Sequence, residues 1–377
     1  MRIGISAYLL HEGSDYRSAG VSTYVYQLLR HLPLVAPENR YIVFHGTDAP
    51  RLPQIESVVS PLPTARPLIR VLWERLVLPL EVRRHRLDVL HGTVNVLPEL
   101  VGRPSVVTVH DLSFIRHPER FPRAKVSYLR WAVARSVRRA TRVIAVSEHT
   151  RRDLLDLLGV APERLSVIHQ GVDSRFRPLP AEEIARFRRD KLGGRPYILH
   201  VGTLEPRKNL DVLIRAFAAL RQKHRIPHLL ALVGARGWMF QSLFDLVEEL
   251  GLQADVCFVD YVPPSALPLW YNGADLFAYP SAYEGFGLPV LEAMACGLPT
   301  ITTASSALAE LAGNACLIVE PGSEEALEVA VARALDDTQL RASLRQAGLQ
   351  RASGFRWDET ARATLRVYQA AVEDGPR

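Results

Sequence analysis

Short runs of apolar, β-branched residues alternate along this chain with longer stretches whose apolar positions recur at helical spacing. In the first half the strand candidates are "RIGISAY", "YIVFHG", "SVVTVHD", "RVIAVS" and "LSVIHQG". In the second half they are "YILHVG", "LLALVG", "VCFVDY", "LFAYPS", "PTITTA" and "CLIVEP". Near-continuous apolar runs bounded by Gly or Pro suit parallel strands covered on both faces. Helical patterns such as Leu210–Arg225 and Glu324–Leu335 separate them. Strand, helix, strand, repeated in both halves, predicts an α/β protein of two Rossmann-like, doubly wound domains. Arg177–Pro178–Leu179–Pro180 reads as an extended linker ahead of a new helix. The expected division is therefore 1–175, 176–355, and a C-terminal helix within 356–377 that packs back on the N-terminal domain.

Composition narrows the class. A length of 377 residues fits two domains. No run approaches the roughly 18–20 apolar residues of a membrane span. "MRIGISAYLLHEG" has too short an apolar core for a signal peptide and reads as a first buried strand. Cys257, Cys296 and Cys316 form no CxxC pair and sit in apolar surroundings, which predicts buried thiols in a reducing, cytoplasmic setting. Residues 1–177 hold 26 Lys and Arg against 16 Asp and Glu, a surplus of +10, whereas residues 178–377 hold 20 against 24, or −4. A basic half suits nucleic acid, anionic lipid or a phosphorylated substrate. With no zinc spacing, RNA-binding aromatic signature or Lys-rich tail, nucleic acid is not an expected partner.

Doubly wound sheets bind ligands beyond the carboxyl ends of their strands, and the chemical candidates all fall there. In "SAYEGFGLPVLEAMACGLPT", Glu284 and Glu292 stand eight positions apart in an otherwise apolar stretch. Gly285 and Gly287 place Glu284 on a loop, Pro289 opens a helix, Gly297 closes it, and Glu292 is expected in the first turn. Amides around Phe286–Val290 would carry the positive end of the helix dipole, a place for phosphate. Read alone, Glu292 only complements that dipole. "HVGTLEPRKNLDVLIRAF" puts Arg207 and Lys208 between a strand end at Gly202 and a helix that Asn209 or Asp211 could cap. These cations suit phosphate, or alone a solvated loop. His110 and Asp111 end "SVVTVHD", where a His can bond a sugar hydroxyl or simply be structural. Gly20 closes a loop before a helix in which Tyr24, Gln27, Leu28 and His31 share a face. Over 124–143, Arg135, Arg138, Arg139 and Arg142 form one helical stripe, and Val126, Leu129, Val133 and Val137 another. The arginines suit a solvated face, or contact with anionic lipid headgroups or a lipid-diphosphate acceptor. "RVLWERLVLPLEVRRHR" adds further apolar and basic surface.

"YEGFGLPVLEAMACGLP" resembles the E-x7-E motif of retaining glycosyltransferases of the GT-B architecture, family 4, and "GTLEPRKN" is similar to a variant in its mannosyl- and hexosyltransferase branch. The resemblance covers roughly residues 1–372 in layout. It implies two Rossmann-like domains facing across a cleft, the first on the acceptor side and the second binding a nucleoside-diphosphate sugar. It further implies that Glu284 and the Gly285, Phe286, Gly287 and Leu288 backbone contact the donor hexose, that Glu292 holds the ribose, and that amides near Val290 touch the diphosphate. Gly202, Thr203, Arg207 and Lys208 would meet the phosphates, with Thr203 standing where many members have Arg. Val262, in "VDYVPP", would lie by the base, Gly20 by the diphosphate, and His110 by the reacting carbon. The implied activity is transfer of a hexose, mannose from GDP-mannose, to a hydroxyl of a glycan or lipid-linked acceptor with retention. The protein would work in the cytoplasm, with a peripheral place on the inner face of the membrane as a further reading of the basic half. No carboxylate nucleophile suggests itself, and Asp111 is the nearest candidate. With no DxD in the chain, neither a metal nor another cofactor is expected. Two rivals are a nucleotide-dependent dehydrogenase, for which a GxGxxG is lacking, and a catalytically silent nucleotide-sugar-binding protein.

Overall fold

A computed structural model describes all residues of the chain except 9, 11–19, 47–51, 61, 63–66, 99–101, 238 and 239, and the side chains of 67, 68, 70, 74 and 75. The chain divides into two compact units. One holds the described residues up to Gly171 together with Arg356–Arg377, and the other holds Val172–Phe355.

The first unit is built on seven parallel strands: β1 (Arg2–Ser6), β2 (Arg40–His45), β3 (Ile55–Val59), β4 (Val89–Gly92), β5 (Ser105–Val109), β6 (Arg142–Ala145) and β7 (Leu165–Val167). Their order is β3-β2-β1-β4-β5-β6-β7. The second unit has six: β8 (Tyr197–Val201), β9 (Leu229–Val233), β10 (Val256–Val259), β11 (Leu276–Tyr279), β12 (Thr300–Thr303) and β13 (Leu317–Val319), ordered β10-β9-β8-β11-β12-β13. The winding direction reverses between β1 and β4 in one sheet and between β8 and β11 in the other. Loops leave on opposite faces at such switch points, which opens a crevice at the strand ends.

Packing follows the apolar pattern. Leu276 and Ala278 of β11 enter one core with Ile198, Leu230, Leu232 and the helix residues Leu213, Ile214 and Phe217. In the first unit Val107 and Val109 pack with Val133 and Val137 of the helix Arg123–Arg139. The C-terminal helix Trp357–Asp374 belongs to this unit, where Trp357 lies near Tyr24 and the Tyr368 hydroxyl is 2.7 Å from His91 Nδ1. Gly171 abuts that helix start, and a Cβ there would come within 2.3 Å of the Trp357 amide nitrogen.

Several sequence expectations are corrected. Strands β3 and β4 carry no continuous apolar run: β3 is a largely exposed edge strand, and β4 contains His91 and Gly92. The pattern at Leu210–Arg225 is an α-helix only to Ala219 and continues as a π-turn, Leu220–His224. Arg142 leaves the arginine stripe, because the helix stops at Arg139 and Arg142 opens β6. Its Nε donates to Asp374 at 2.6 Å and its Nη1 to the Glu163 carbonyl. Cys296 and Cys316 are buried thiols, but Cys257 is only half-buried.

Candidate active site

The switch point of the second unit gathers Arg207 and Lys208 of one motif and Glu284 of the other. After β8 the chain makes a short 3₁₀ turn, Pro206–Lys208, and Asn209 turns left-handed at φ 50° to start the helix Leu210–Ala219. Asn209 caps nothing with its side chain. Its Nδ2 donates instead to the Pro280 carbonyl at 3.0 Å, and the Ala282 amide donates to the Arg207 carbonyl at 2.9 Å. These bonds tie the loop after β8 to the loop after β11.

Glu284 is the hub. Its Oε1 accepts from Lys208 Nζ at 2.5 Å, from Ser281 Oγ at 2.7 Å and from the Tyr279 hydroxyl at 3.1 Å. Its Oε2 accepts from Arg207 Nη1 at 3.1 Å. Arg207 is also held by Glu205 Oε1, 2.9 Å from its Nε, and by the Tyr283 carbonyl at 3.0 Å. Lys208 also donates to the Tyr279 hydroxyl at 2.7 Å. Two cations and two carboxylates therefore close into a neutral, largely buried cluster.

Burial alone would raise the Glu284 carboxyl. Arg207 and Lys208, with hydrogen bonds from Lys208 and Ser281, reverse that and hold it at about 2. Burial pulls the Lys208 ammonium below its ordinary value, and Glu284 opposes the fall. Beneath the cluster the His200 ring stacks on Tyr279 at 5.2 Å and donates from Nδ1 to the Ala278 carbonyl at 3.0 Å. Burial lowers its pKa to about 3, so His200 is neutral, and its buried Nε2 has no hydrogen-bond partner among the described residues. Gly202 adjoins this floor: a Cβ there would lie 3.3 Å from His200 Nε2 and 3.6 Å from Lys208 Cε. Thr203 follows it, half-buried, and Val262 lies half-buried in the loop after β10.

The helix after the acid motif runs Leu288–Ala295, with Gly287 ahead of it at φ 104°, a conformation that favours glycine. Two expectations change here. Glu292 is the fifth helical residue rather than a first-turn acid. The Val290 amide donates back to the Gly287 carbonyl at 3.0 Å, so that donor is engaged within its own turn. Phe286 and Leu288 bury their side chains, and the Phe286 ring contacts Phe355. Glu292 stands apart from the Glu284 cluster and accepts from the Tyr271 hydroxyl at 2.8 Å. Burial pushes its carboxyl up to about 7, against the Tyr271 bond and Arg175. The rings of Tyr271, Phe277 and Tyr279 follow one another at 5.5 and 5.7 Å, so a row of aromatics runs between the two glutamates' tyrosine partners.

Sequence reasoning missed Tyr271, Tyr279, Ser281, Glu205 and His200. Glu205 stands inside "EPRK", and a cation pair in an apolar loop calls for nearby acids. The tyrosines read as ordinary strand and helix core.

In the first unit His110 is buried. Its Nε2 donates to the Thr93 carbonyl at 2.8 Å, its amide donates to Asn95 Oδ1, and Tyr24 meets its ring edge-on at 4.8 Å. Burial lowers its pKa, leaving a neutral ring with Nδ1 unprotonated. Asp111 does not hold this His: its Oδ1 accepts from the amide and hydroxyl of Ser113 at 3.0 and 2.6 Å. A buried chain lies behind His110, from Tyr368 through His91 to Thr108 Oγ1 at 2.8 Å and on to the Tyr24 hydroxyl at 3.0 Å. Gly20, at φ 51°, precedes the helix Val21–Val35. The loop before it lies outside the described residues.

Known proteins share this organisation. Residues 181–351 match the profile of Glycosyl transferases group 1, and residues 18–176 match Glycosyltransferase Family 4. The O-antigen chain mannosyltransferase B of Escherichia coli is 29% identical over 373 residues, 95% of this chain and 98% of its own. D-inositol 3-phosphate glycosyltransferase 1 of Catenulispora acidiphila is 31% identical over 396 residues, 95% and 92% of the two chains. Sucrose-phosphate synthase from Thermosynechococcus elongatus shares the fold with a TM-score of 0.81 over 98% of both chains at 22% identity. Anabaena HepE, solved with UDP and glucose, does so with a TM-score of 0.76 over 98% of this chain and 100% of its own at 21% identity. The dehydrogenase alternative falls with these matches. Both halves of the sequence and both sheet orders thus lead to one assignment: the chain is a glycosyltransferase of GT-B architecture and belongs to family 4.

Proposed function

We propose that the protein transfers mannose from GDP-mannose to a hydroxyl of a glycan or lipid-linked acceptor, with retention and without a metal ion. The observation that carries this reading is the Arg207–Lys208–Glu284 cluster at the β8–β11 switch point. A departing nucleoside diphosphate needs countercharge where its negative charge grows. Lys208 and Arg207 supply it once phosphate oxygens replace Glu284 as their partner, and Gly202 and Thr203 lie beside them. Glu284 then accepts from hexose hydroxyls, within the Gly285–Leu288 loop. Glu292 accepts from the ribose hydroxyls, and Val262 borders the base. The unprotonated Nδ1 of His110 accepts from a sugar hydroxyl near the anomeric carbon.

Asp111 bears on the stereochemistry. Double displacement requires a free carboxylate at that carbon, and Asp111 Oδ1 is engaged by Ser113. A front-face reaction accounts for retention: the anomeric carbon–phosphate bond breaks, the acceptor oxygen bonds on the same face, and its proton passes to the leaving phosphate. Mannose is supported by the E. coli relative, whose name specifies a mannosyltransferase. The D-inositol 3-phosphate glycosyltransferases make other acceptors worth including in a screen.

The test is a thermal-shift screen across GDP, UDP, ADP and their sugars, followed by a transfer assay with and without EDTA and NMR of the product anomer. GDP-mannose should give the largest shift, EDTA should leave the rate unchanged, and the anomer should be retained. A larger shift with a UDP-sugar would overturn the mannose reading, loss of turnover in EDTA the metal-free one, and an inverted product the front-face route.

A further inference from the structure

Beneath the Arg207–Lys208–Glu284 cluster lies a polar atom that the proposed chemistry leaves unused. His200, near the carboxyl end of β8, is fully buried. Its Nδ1 donates to the Ala278 carbonyl at 3.0 Å, and burial keeps the ring neutral, so the tautomer is fixed and Nε2 carries a bare lone pair. Among the described residues nothing donates to that lone pair. Buried acceptors are nearly always paired, so a bare one needs a reason. Core filling does not supply it. The ring stacks on Tyr279 at 5.2 Å and 11°, a place that Phe would fill without a polar atom to desolvate.

Lys208 has the complementary surplus. An ammonium carries three protons. One goes to Glu284 Oε1 and one to the Tyr279 hydroxyl, which leaves one with no acceptor among the described residues. The two side chains meet at Gly202. A Cβ there would lie 3.3 Å from His200 Nε2, 3.6 Å from Lys208 Cε and 3.9 Å from Tyr279 Cε2, so the lone pair and the lysine stem border one small opening that the glycine keeps free.

We propose that His200 is the positioning residue for Lys208 during transfer: when the ammonium leaves Glu284 for the departing phosphate, it donates its rear proton to His200 Nε2 and keeps its bond to Tyr279. The inference rests on the reading that Lys208 neutralises that phosphate. Hydrogen-bond partners change in this step, and no proton changes owner. Neutrality is what suits His200 to the task. A carboxylate in its place would orient the ammonium but cancel the charge that the leaving group needs. A neutral acceptor fixes the direction and leaves the charge to act. With two bonds held from behind, the third N–H is aimed before the reaction begins.

His200→Asn and His200→Gln separate the two ring nitrogens. Asn places an amide N–H near the Nδ1 position and keeps the bond to Ala278, whereas Gln brings an accepting oxygen to the Nε2 position. Turnover of GDP-mannose, UDP-glucose and ADP-glucose is followed in parallel and read on whichever is consumed. His200→Asn should lower kcat roughly ten-fold with KM changed less than about two-fold, and His200→Gln should recover most of the loss. A purely structural histidine predicts the opposite ranking, because only Asn preserves the bond to Ala278. In a Lys208→Ala background, His200→Asn should cost nothing more. An unchanged rate in Lys208→Ala would overturn both the inference and the reading beneath it. A slowed Lys208→Ala, with His200→Asn either harmless alone or fully costly on top of it, would overturn the inference and leave that reading standing. Should the variants fold poorly, nitrogen NMR of the isotope-labelled wild-type chain carries the test. The His200 Nε2 signal, assigned through its own backbone, should move upfield when one of these sugar nucleotides binds, and a signal that stays in place would overturn the proposal.

Discussion

The two sheets share the same winding and the same kind of switch point, yet they furnish it differently. In the second unit the crevice beyond β8 and β11 holds two cations and two carboxylates bonded to one another. In the first unit the polar groups beside β4 and β5 are neutral: His91, Thr108, Tyr24 and Tyr368 in a closed chain, with His110 beside them. Burial drives the imidazoles toward their uncharged forms, with His91 near 3. A buried charge survives only where an opposite charge and hydrogen bonds compensate its desolvation. The second unit therefore keeps compensated ions at its switch point, whereas the first keeps neutral groups there.

That contrast can be broken by mutation. Glu284→Ala removes the hub from a buried ion pair, and loss of one partner leaves the other charge uncompensated at about 3–5 kcal/mol. Denaturant unfolding should show a loss of that size, with His110→Ala costing much less. Lys208→Ala should lower kcat roughly ten- to hundred-fold, as expected when a charge-assisted bond to a leaving group is lost. A rate unchanged at saturating donor would remove Lys208 from the chemistry.

Acid should act on the buried imidazoles of both units before the Glu284 carboxylate. His91 has a folded pKa near 3 against an ordinary 6.5, so its unfolded form takes up protons first. The stability linked to it is complete above 6.5 and lost as pH falls toward 3. Glu284, at about 2 against 4.5, loses its contribution only between those values. His200 in β8, also at about 3, shares that window, so segment-resolved hydrogen exchange, corrected for intrinsic rates, should show β4 and β8 losing protection at higher pH than the loop that carries Glu284. The reverse order would show that another group governs the acid response.

The smallest expected effect concerns Glu292. With its pKa raised to about 7, ionisation in the folded protein occurs as pH rises through neutrality. If Glu292 holds the ribose as proposed, its charged form would accept the hydroxyls better, and nucleotide affinity measured by calorimetry should rise from pH 6 to 8. Glu292→Gln should flatten that profile.

How legible this was in the sequence depended on what each residue had to reveal. Strands β8 to β13 were readable because each is an apolar run between breakers. Strand β4 was not, since His91 interrupts it and finds its bonding partners in Thr108 and Tyr368, 17 and 277 residues away. Glu284 and Lys208 could be identified as candidates, but their contact spans 76 residues and needs the β8–β11 pairing to form. Periodicity carried Arg142 onto a helix that ends three residues earlier, because spacing alone does not mark where Ala140 turns the chain toward β6. The apolar setting of the two acids finds its reason in Tyr271 and Tyr279, which supply hydroxyls from rings that otherwise belong to the core.

Glu284 Oε1 already accepts three hydrogen bonds, which gives ligand entry the character of a partner exchange. Inorganic phosphate or a bare nucleoside diphosphate could draw Lys208 away only by stranding a carboxylate in a poorly solvated place. An intact sugar nucleotide brings the replacement with it, hydroxyls for the acid and oxygens for the ammonium. On the proposed reading the ion pair would work as a latch with two keys: the enzyme would grip the whole donor more firmly than its separate halves predict and would loosen its hold once the sugar has moved on.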